Sequence, residues 1–423
     1  MESTLNHLIN KYKALESQLD LTCTDDLSAL TAIAQSLLEQ PFSLFDLREK
    51  ESDPRFQNHL GLQLGLKLAI SRRCVEAISV PMELTVVFAM YGETQRMQSA
   101  ANHQHGEDFL RRKVAQLQWL FDGIDNIQWY IDIVDDGCPD GSGAMAREMI
   151  NQMGLSRRIR VHYLEDGIKA QLPVCAGMQQ ARDSQKGGSI AYGMWLATRR
   201  NRSANHVVCY TDADLSTHLG QVGLLMQPIC AGHCDIACGS RREPQSVVLK
   251  QGTRNERGKL FIYLWKQMLP QLHFLVDTQC GFKAFRASVL EPLLYDRIEN
   301  RFAFDIELLL RAELIRENRI NKAAIGWIDS DALSTTTDIG PYLNMLKAVV
   351  LMYHNYLPLE QHASAVAKVL ASMDEQGWQS MLAELEPFLA KRSLTEVLNS
   401  VELTPERLQR AAAFSHKPAE TVN

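Results

Sequence analysis

From Leu84 to Asp214 the chain alternates short β-type apolar runs with stretches of helical spacing, and this alternation points to a parallel or mainly parallel α/β sheet. The runs are Leu84 to Met90, Trp129 to Val134, Ile159 to Tyr163, and one that begins at Val207 and ends in Asp212. Helix-like segments separate them, over Phe109 to Phe121, Ala144 to Met153 and Lys186 to Thr198. Three of the runs end in acids: Glu93 follows the first, Asp135 and Asp136 the second, Asp212 and Asp214 the last. Ligands of open α/β sheets bind beyond the carboxyl ends of the strands, so these side chains are the first candidates for chemistry.

Asp212 and Asp214 stand one residue apart where an apolar run gives way to polar residues. At such a strand end the chain turns, and both carboxylates can converge on one cation. Close carboxylates repel unless positive charge lies between them, and hard oxygen ligands suit Mg²⁺ or Mn²⁺, ions that keep open positions for phosphate oxygens. An isolated Asp-x-Asp also reads as a turn in which Asp214 caps the next segment. The strand-end placement shared by all five acids favours the metal–diphosphate reading.

Composition narrows the alternatives. With 423 residues, 46% hydrophobic, the chain can bury a core and hold more than one structural unit. A net charge of -6 argues against bulk nucleic-acid binding. No run approaches the roughly 20 apolar residues of a membrane span, and the start resembles no signal peptide, so a cytoplasmic protein is expected. The nine cysteines read as reduced core residues. Cys230, His233, Cys234 and Cys238 come nearest a zinc pattern, but no second ligand pair follows, and core packing is the better reading. Residues 1–80 carry helical spacing without chemistry, the α/β region spans 81–340, and 341–423 is helical again. The helical ends suit packing or self-association. The stretch Leu260 to Trp265 is apolar all round, which marks a buried helix or an interfacial one that presents a lipid phosphate.

The motif order Tyr91-Gly92-Glu93, Val134-Asp135-Asp136-Gly137, Lys186-Gly187-Gly188 and Asp212-Ala213-Asp214 resembles the family 2, GT-A-fold glycosyltransferases. Gly239-Ser240-Arg241-Arg242, Asp277 to Phe285 and Arg301 to Leu308 resemble the polyprenyl-phosphate branch, most of all the dolichyl-phosphate β-glucosyltransferases. The likeness covers about residues 83 to 335, and Asp277 to Phe285 is its most specific part. There are departures. Gly92 stands where the family usually has Asn, the segment from Gln95 to Glu107 is added, the connection before Lys186 is long, and the branch's common membrane anchors are not seen.

The resemblance implies a GT-A, Rossmann-like mixed sheet and a metal-dependent, inverting hexose transfer from a nucleoside-diphosphate sugar, UDP-sugars being favoured. It places Asp136 on the nucleobase, Glu93 and Asp135 near the nucleoside, and Lys186 near the phosphates. Asp212 would contact the ribose or a metal-bound water, and Asp214 the Mg²⁺ or Mn²⁺. Arg241 with Arg254 or Arg257 would hold an acceptor phosphate, as on a lipid carrier approached from the inner membrane face. A phosphate acceptor is already anionic; a hydroxyl acceptor would need a general base, with Asp277 the first candidate and Asp305 the second. Asp305 and Glu307 also open a helix, where carboxylates are at home in any case. Two other readings stand beside this one. A sugar-1-phosphate nucleotidyltransferase would want a Gly-rich basic loop after the first strand, which Met90 to Thr94 lacks. The second is a catalytically silent nucleotide-sugar-binding module that acts through its helical flanks.

Overall fold

The computed structural model describes residues 2–200, 205–249, 255–329 and 340–413. Its strands are β1 (Met82–Met90), β2 (Ile127–Asp135), β3 (Ile159–Tyr163), β4 (His206–Thr211), β5 (Ile236–Ser240), β6 (Val247–Leu249), β7 (Phe282–Arg286), β8 (Ile320–Ala324) and β9 (Gly326–Ile328). Seven form one sheet in the order β3-β2-β1-β4-β7-β5-β8, while β6 pairs with β9. All sheet neighbours run parallel except β7, which is antiparallel to both β4 and β5. The expected mixed α/β sheet with helical segments is therefore present.

The buried run Leu84-Thr85-Val86-Val87-Phe88 in β1 explains why the sheet is covered on both faces, since successive side chains point to opposite sides. On one face, a Cβ on Gly193 would come within 2.5 Å of Val87 Cγ1, so the Gly187–Arg200 helix lies directly on the sheet. On the other, Phe88 meets Phe109 edge to face at 6.1 Å, which seats the Phe109–Phe121 helix.

The chain divides into two compact units: 1–250 with 277–301 and 316–332, and 251–276 with 302–315 and 333–423. The amino-terminal helices belong to the first unit and share its core. Gly65 lets the Leu60–Glu76 helix press on Ile33 of Thr24–Leu38, and Gly223 brings the Val222–Cys230 helix against the Ser71 carbonyl, 2.3 Å from where a Cβ would stand.

In the second unit the Asn255–Met268 helix packs among Gly340–Tyr356, Gln361–Ala371, Glu375–Ala390 and Leu394–Leu398. Leu260 to Trp265 are all buried, so the uniform apolarity of this stretch is that of a core helix. Lys259 donates to the carbonyls of Leu389 and Arg392 at 3.0 and 2.9 Å, capping the end of the Glu375–Ala390 helix. Among the described residues no helix is long and apolar enough to cross a membrane.

Gly223→Val should lower the stability of the first unit by about 1–3 kcal/mol, because the backbone oxygen it would strike cannot rotate away. Urea denaturation followed by circular dichroism checks this; an unchanged midpoint would mean that the two helices separate without cost.

Candidate active site

The strand order reverses at β1: β2 and β3 lie to one side of it and β4 to the other. In open α/β sheets ligands bind at such a reversal, beyond the carboxyl ends of the strands, here those of β1 and β4. Register keeps the acidic ends level, with Met90 opposite Asp135 and the Asp136 amide donating to the Met90 carbonyl at 2.9 Å. Glu93, Asp135, Asp136, Asp212 and Asp214 thus follow three adjacent strands, as the sequence pattern predicts.

Their partners differ. Asp135 accepts from the amides of Gly137 (3.0 Å), Cys138 (2.7 Å) and Gly143 (3.0 Å), so both its oxygens shape the loop and the start of the Ser142–Gln152 helix. Asp140 likewise ties Thr94 to Ser142 and serves as a turn residue. Asp136 is buried, accepts from Ser189 Oγ at 2.7 Å, and is pushed up to about 6 by desolvation against the pull of that bond. Glu93 is pushed up to about 7, again by burial; Arg96 opposes the shift, and Asp214, Glu107 and Asp140 add to it. Arg96 reaches Glu93 at 3.1 Å and grips Glu107 at 3.0 and 3.2 Å. The added segment from Gln95 to Glu107 therefore folds back and delivers a second carboxylate to the arginine that holds Glu93.

Gly92 has φ +71°, and nothing lies within 4 Å of a Cβ built there. Asn also visits this left-handed backbone, so the conformation here accepts either residue.

Lys186 sits at φ +116° after Gln185 at φ +48°, a strained entry to the Gly187–Arg200 helix. Its ammonium pairs with Asp212 at 2.5 Å. Burial pushes the Asp212 carboxyl up, but Lys186, then Lys113 and Arg241, carry it below its ordinary value. Gly281 is required beside it, because a Cβ there would fall 2.3 Å from the Asp212 carboxylate. Asp214 Oδ1 accepts the Ser216 amide at 3.0 Å, and Oδ2 takes no hydrogen bond among the described residues. Two hard carboxylates with an open oxygen, ringed by cations, fit a divalent ion whose other ligands come from a diphosphate. No cluster of three or more His, Cys, Asp or Glu able to hold a metal occurs among the described residues, so the Cys230–Cys238 pattern assembles no such site.

Asp277 is held by Arg241 through three bonds, Nε at 2.8 Å, Nη2 at 2.7 Å and the main-chain amide at 2.8 Å. Burial would raise this carboxyl, yet Arg241 carries it down to about 2, which makes Asp277 a weak proton acceptor. Arg241 Nη1 makes no hydrogen bond among the described residues, while the guanidinium lies 5.3 Å from the Trp327 ring. Arg254 lies outside the described residues. Arg257, half-buried, and Asp305, buried in the first turn of the Phe304–Ile315 helix, belong to the second unit.

Two buried lysines escaped the sequence reading. Lys113 is wholly buried and donates to the Asp214 carbonyl at 2.7 Å; burial lowers it to about 8 against the pull of Asp214 and Asp212. Lys283, in β7, donates to the Cys280 carbonyl at 2.6 Å and is lowered by burial. The signal was present for Lys113: it shares the apolar stripe of Phe109, Leu110, Val114 and Leu117, where a lysine is out of place.

No protein-family model matches the chain. It is 25% identical over 293 residues to a dolichyl-phosphate β-glucosyltransferase of Drosophila melanogaster, covering 66% of this chain and 77% of that one. It is 30% identical over 191 residues to a polyprenol monophosphomannose synthase of Mycolicibacterium smegmatis, covering 44% and 62%. Among solved structures it is similar to glucosyl-3-phosphoglycerate synthase from Mycobacterium tuberculosis in complex with UDP, at 14% identity and a TM-score of 0.45, covering 70% and 86%. The sequence relatives bear out the resemblance carried by the motifs.

Glu93 offers a test of the site's electrostatics. Its ordinary value of 4.5 rises to about 7 in the fold, so its contribution favours folding fully below pH 4.5 and is lost as the pH rises through 7. In chelator-treated protein, Glu93→Gln should gain melting temperature relative to wild type across that window. A constant difference would contradict the buried acid.

Proposed function

Taking the chain as the glycosyltransferase that its relatives make it, we propose that it moves a hexose, with inversion, from a nucleoside-diphosphate sugar to a phosphate-bearing acceptor. The observation that carries this reading is the set of acids beyond β1, β2 and β4, gathered at the strand-order reversal and met there by Lys186 and Lys113. Asp136, buried with one oxygen on Ser189, is the proposed acceptor for a nucleobase imide N–H. The preference for a UDP-sugar rests on the family resemblance. Tyr91, 59% exposed beside Glu93, offers an aromatic face for stacking a base. Asp135 acts by shaping the loop, since main-chain amides occupy both its oxygens.

Asp214 and Asp212 would hold Mg²⁺ or Mn²⁺, which when bound supplies neutralisation of the charge on a departing diphosphate. Lys186, now paired with Asp212, would exchange it for that diphosphate, its ammonium being a point charge well suited to phosphate oxygens.

The Arg241–Asp277 pair favours a phosphate over a hydroxyl acceptor. A carboxyl lowered to about 2 cannot take a hydroxyl proton efficiently near neutral pH, whereas a phosphate arrives already ionised. Asp277 would then orient Arg241, leaving Nη1 for the acceptor phosphate. The names of the relatives point to a lipid-linked phosphate, which calls for peripheral approach to a membrane.

The test is transfer of labelled hexose from a panel of nucleotide sugars, with Mn²⁺, to polyprenyl phosphate, to 3-phosphoglycerate and to unphosphorylated polyprenol. Transfer to a phosphate acceptor, reduced about a hundredfold or more in Asp214→Ala, is expected. Equal use of the unphosphorylated alcohol, or a product joined through the hydroxyl of 3-phosphoglycerate, would contradict the phosphate reading, and nucleotide-sugar binding without transfer to any acceptor would mark a silent module.

A further inference from the structure

Lys113 is a charged group buried where packing alone would select an apolar one. It stands on the Phe109–Phe121 helix, fully buried, its ammonium 5.8 Å from the centre of the Phe88 ring and bonded to the Asp214 carbonyl. A methionine would fill the same space without desolvating a cation. Gln116, one turn further along the helix, accepts the Leu219 amide at 2.8 Å, while its own Nε2 is buried without a hydrogen bond among the described residues.

These two contacts bracket the segment from Asp214 to Leu219. Two others fix the chain from the strand side: the Asp212 amide, just before this segment, donates to the Gly281 carbonyl at 3.1 Å, and the Ile328 amide of β9 donates to the Ser216 carbonyl at 2.9 Å. Side-chain bonds within the turn complete it, from the Ser216 amide to Asp214 Oδ1 and from the Gly220 amide to His218 Nδ1. The path of the chain through Asp214 is thus fixed from two directions, and on the helix side the anchors are polar side chains from a single element.

We propose that Lys113, with Gln116, is a positioning residue for the Asp212–Leu219 turn, and that by holding the Asp214 main chain it presets that carboxylate for a divalent ion. This rests on the donor-site reading above. Its charge also acts favourably on both Asp214 and Asp212, acids that would otherwise repel. Groups that orient a ligating carboxylate without touching the ion change metal affinity by about tenfold to a hundredfold when removed.

The experiment uses the full chain, wild type against Lys113→Met and Gln116→Leu, with two readouts. Hydrogen exchange by mass spectrometry follows the amides of residues 212–219 in the absence of metal, with β4 as internal reference. Mn²⁺ affinity is read by electron paramagnetic resonance of the free ion, with and without UDP. In Lys113→Met, exchange of the turn should rise about tenfold or more while β4 stays protected, and Mn²⁺ affinity should fall at least about tenfold. Gln116→Leu should loosen the Leu219 end. It decides the matter if Lys113→Met does not fold. Unchanged exchange in a folded variant would overturn the clamp, and raised exchange with unchanged Mn²⁺ affinity would overturn its link to the ion. A wild type that takes up no Mn²⁺ overturns that link as well and marks a failure of the donor-site reading itself; the exchange data then decide the clamp alone.

Discussion

Two carboxylates one residue apart at the end of a buried strand repel each other, and the architecture around β4 answers that repulsion. Lys186 meets Asp212 from the entry of one helix, and Lys113 meets the Asp214 carbonyl from another that covers the opposite face of the sheet. Gly281 keeps the next strand close enough for its carbonyl to hold the Asp212 amide. These contacts set positive charge beside the two carboxylates. Asp214 Oδ2 takes no hydrogen bond among the described residues.

The same economy governs the neighbouring acids. Asp135, Asp140 and Asp277 are saturated by amides, hydroxyls or a guanidinium, and each fixes a loop. Asp136 and Glu93 are the acids whose carboxyls burial holds near neutral values. Carboxylates that fix loops and carboxylates raised by burial thus occur together among these acids, and hydrogen-bond saturation separates them better than position in the motif does. Perturbed acids in a cleft are the usual mark of a working site.

Much of this was legible in the sequence. The helix over Phe109–Phe121 and the strand Ile159–Tyr163 follow from apolar spacing alone, and the strand-end acids follow from the alternation of elements. β7 and β8 escaped that reading. β7 is five residues long and carries Lys283 and Arg286, and β8 is an edge strand with polar residues at Asn321 and Lys322. Neither shows the apolar run that marks a buried strand. The roles of Asp277 and Asp135 were also hidden, because pattern places an acid in the site without saying which donors reach it. Lys113 was hidden for the opposite reason: its contact is with a main-chain carbonyl about a hundred residues away, which no local motif encodes.

On the reading proposed above, the Asp212–Asp214 turn forms a diphosphate site through a divalent ion. Anomalous diffraction from crystals grown with Mn²⁺ and UDP addresses it most directly. A manganese peak beside the Asp214 carboxylate is expected, with the Lys186 ammonium moved from Asp212 onto a phosphate oxygen. A nucleotide bound without manganese at this turn, with the Lys186–Asp212 pair intact, would contradict it.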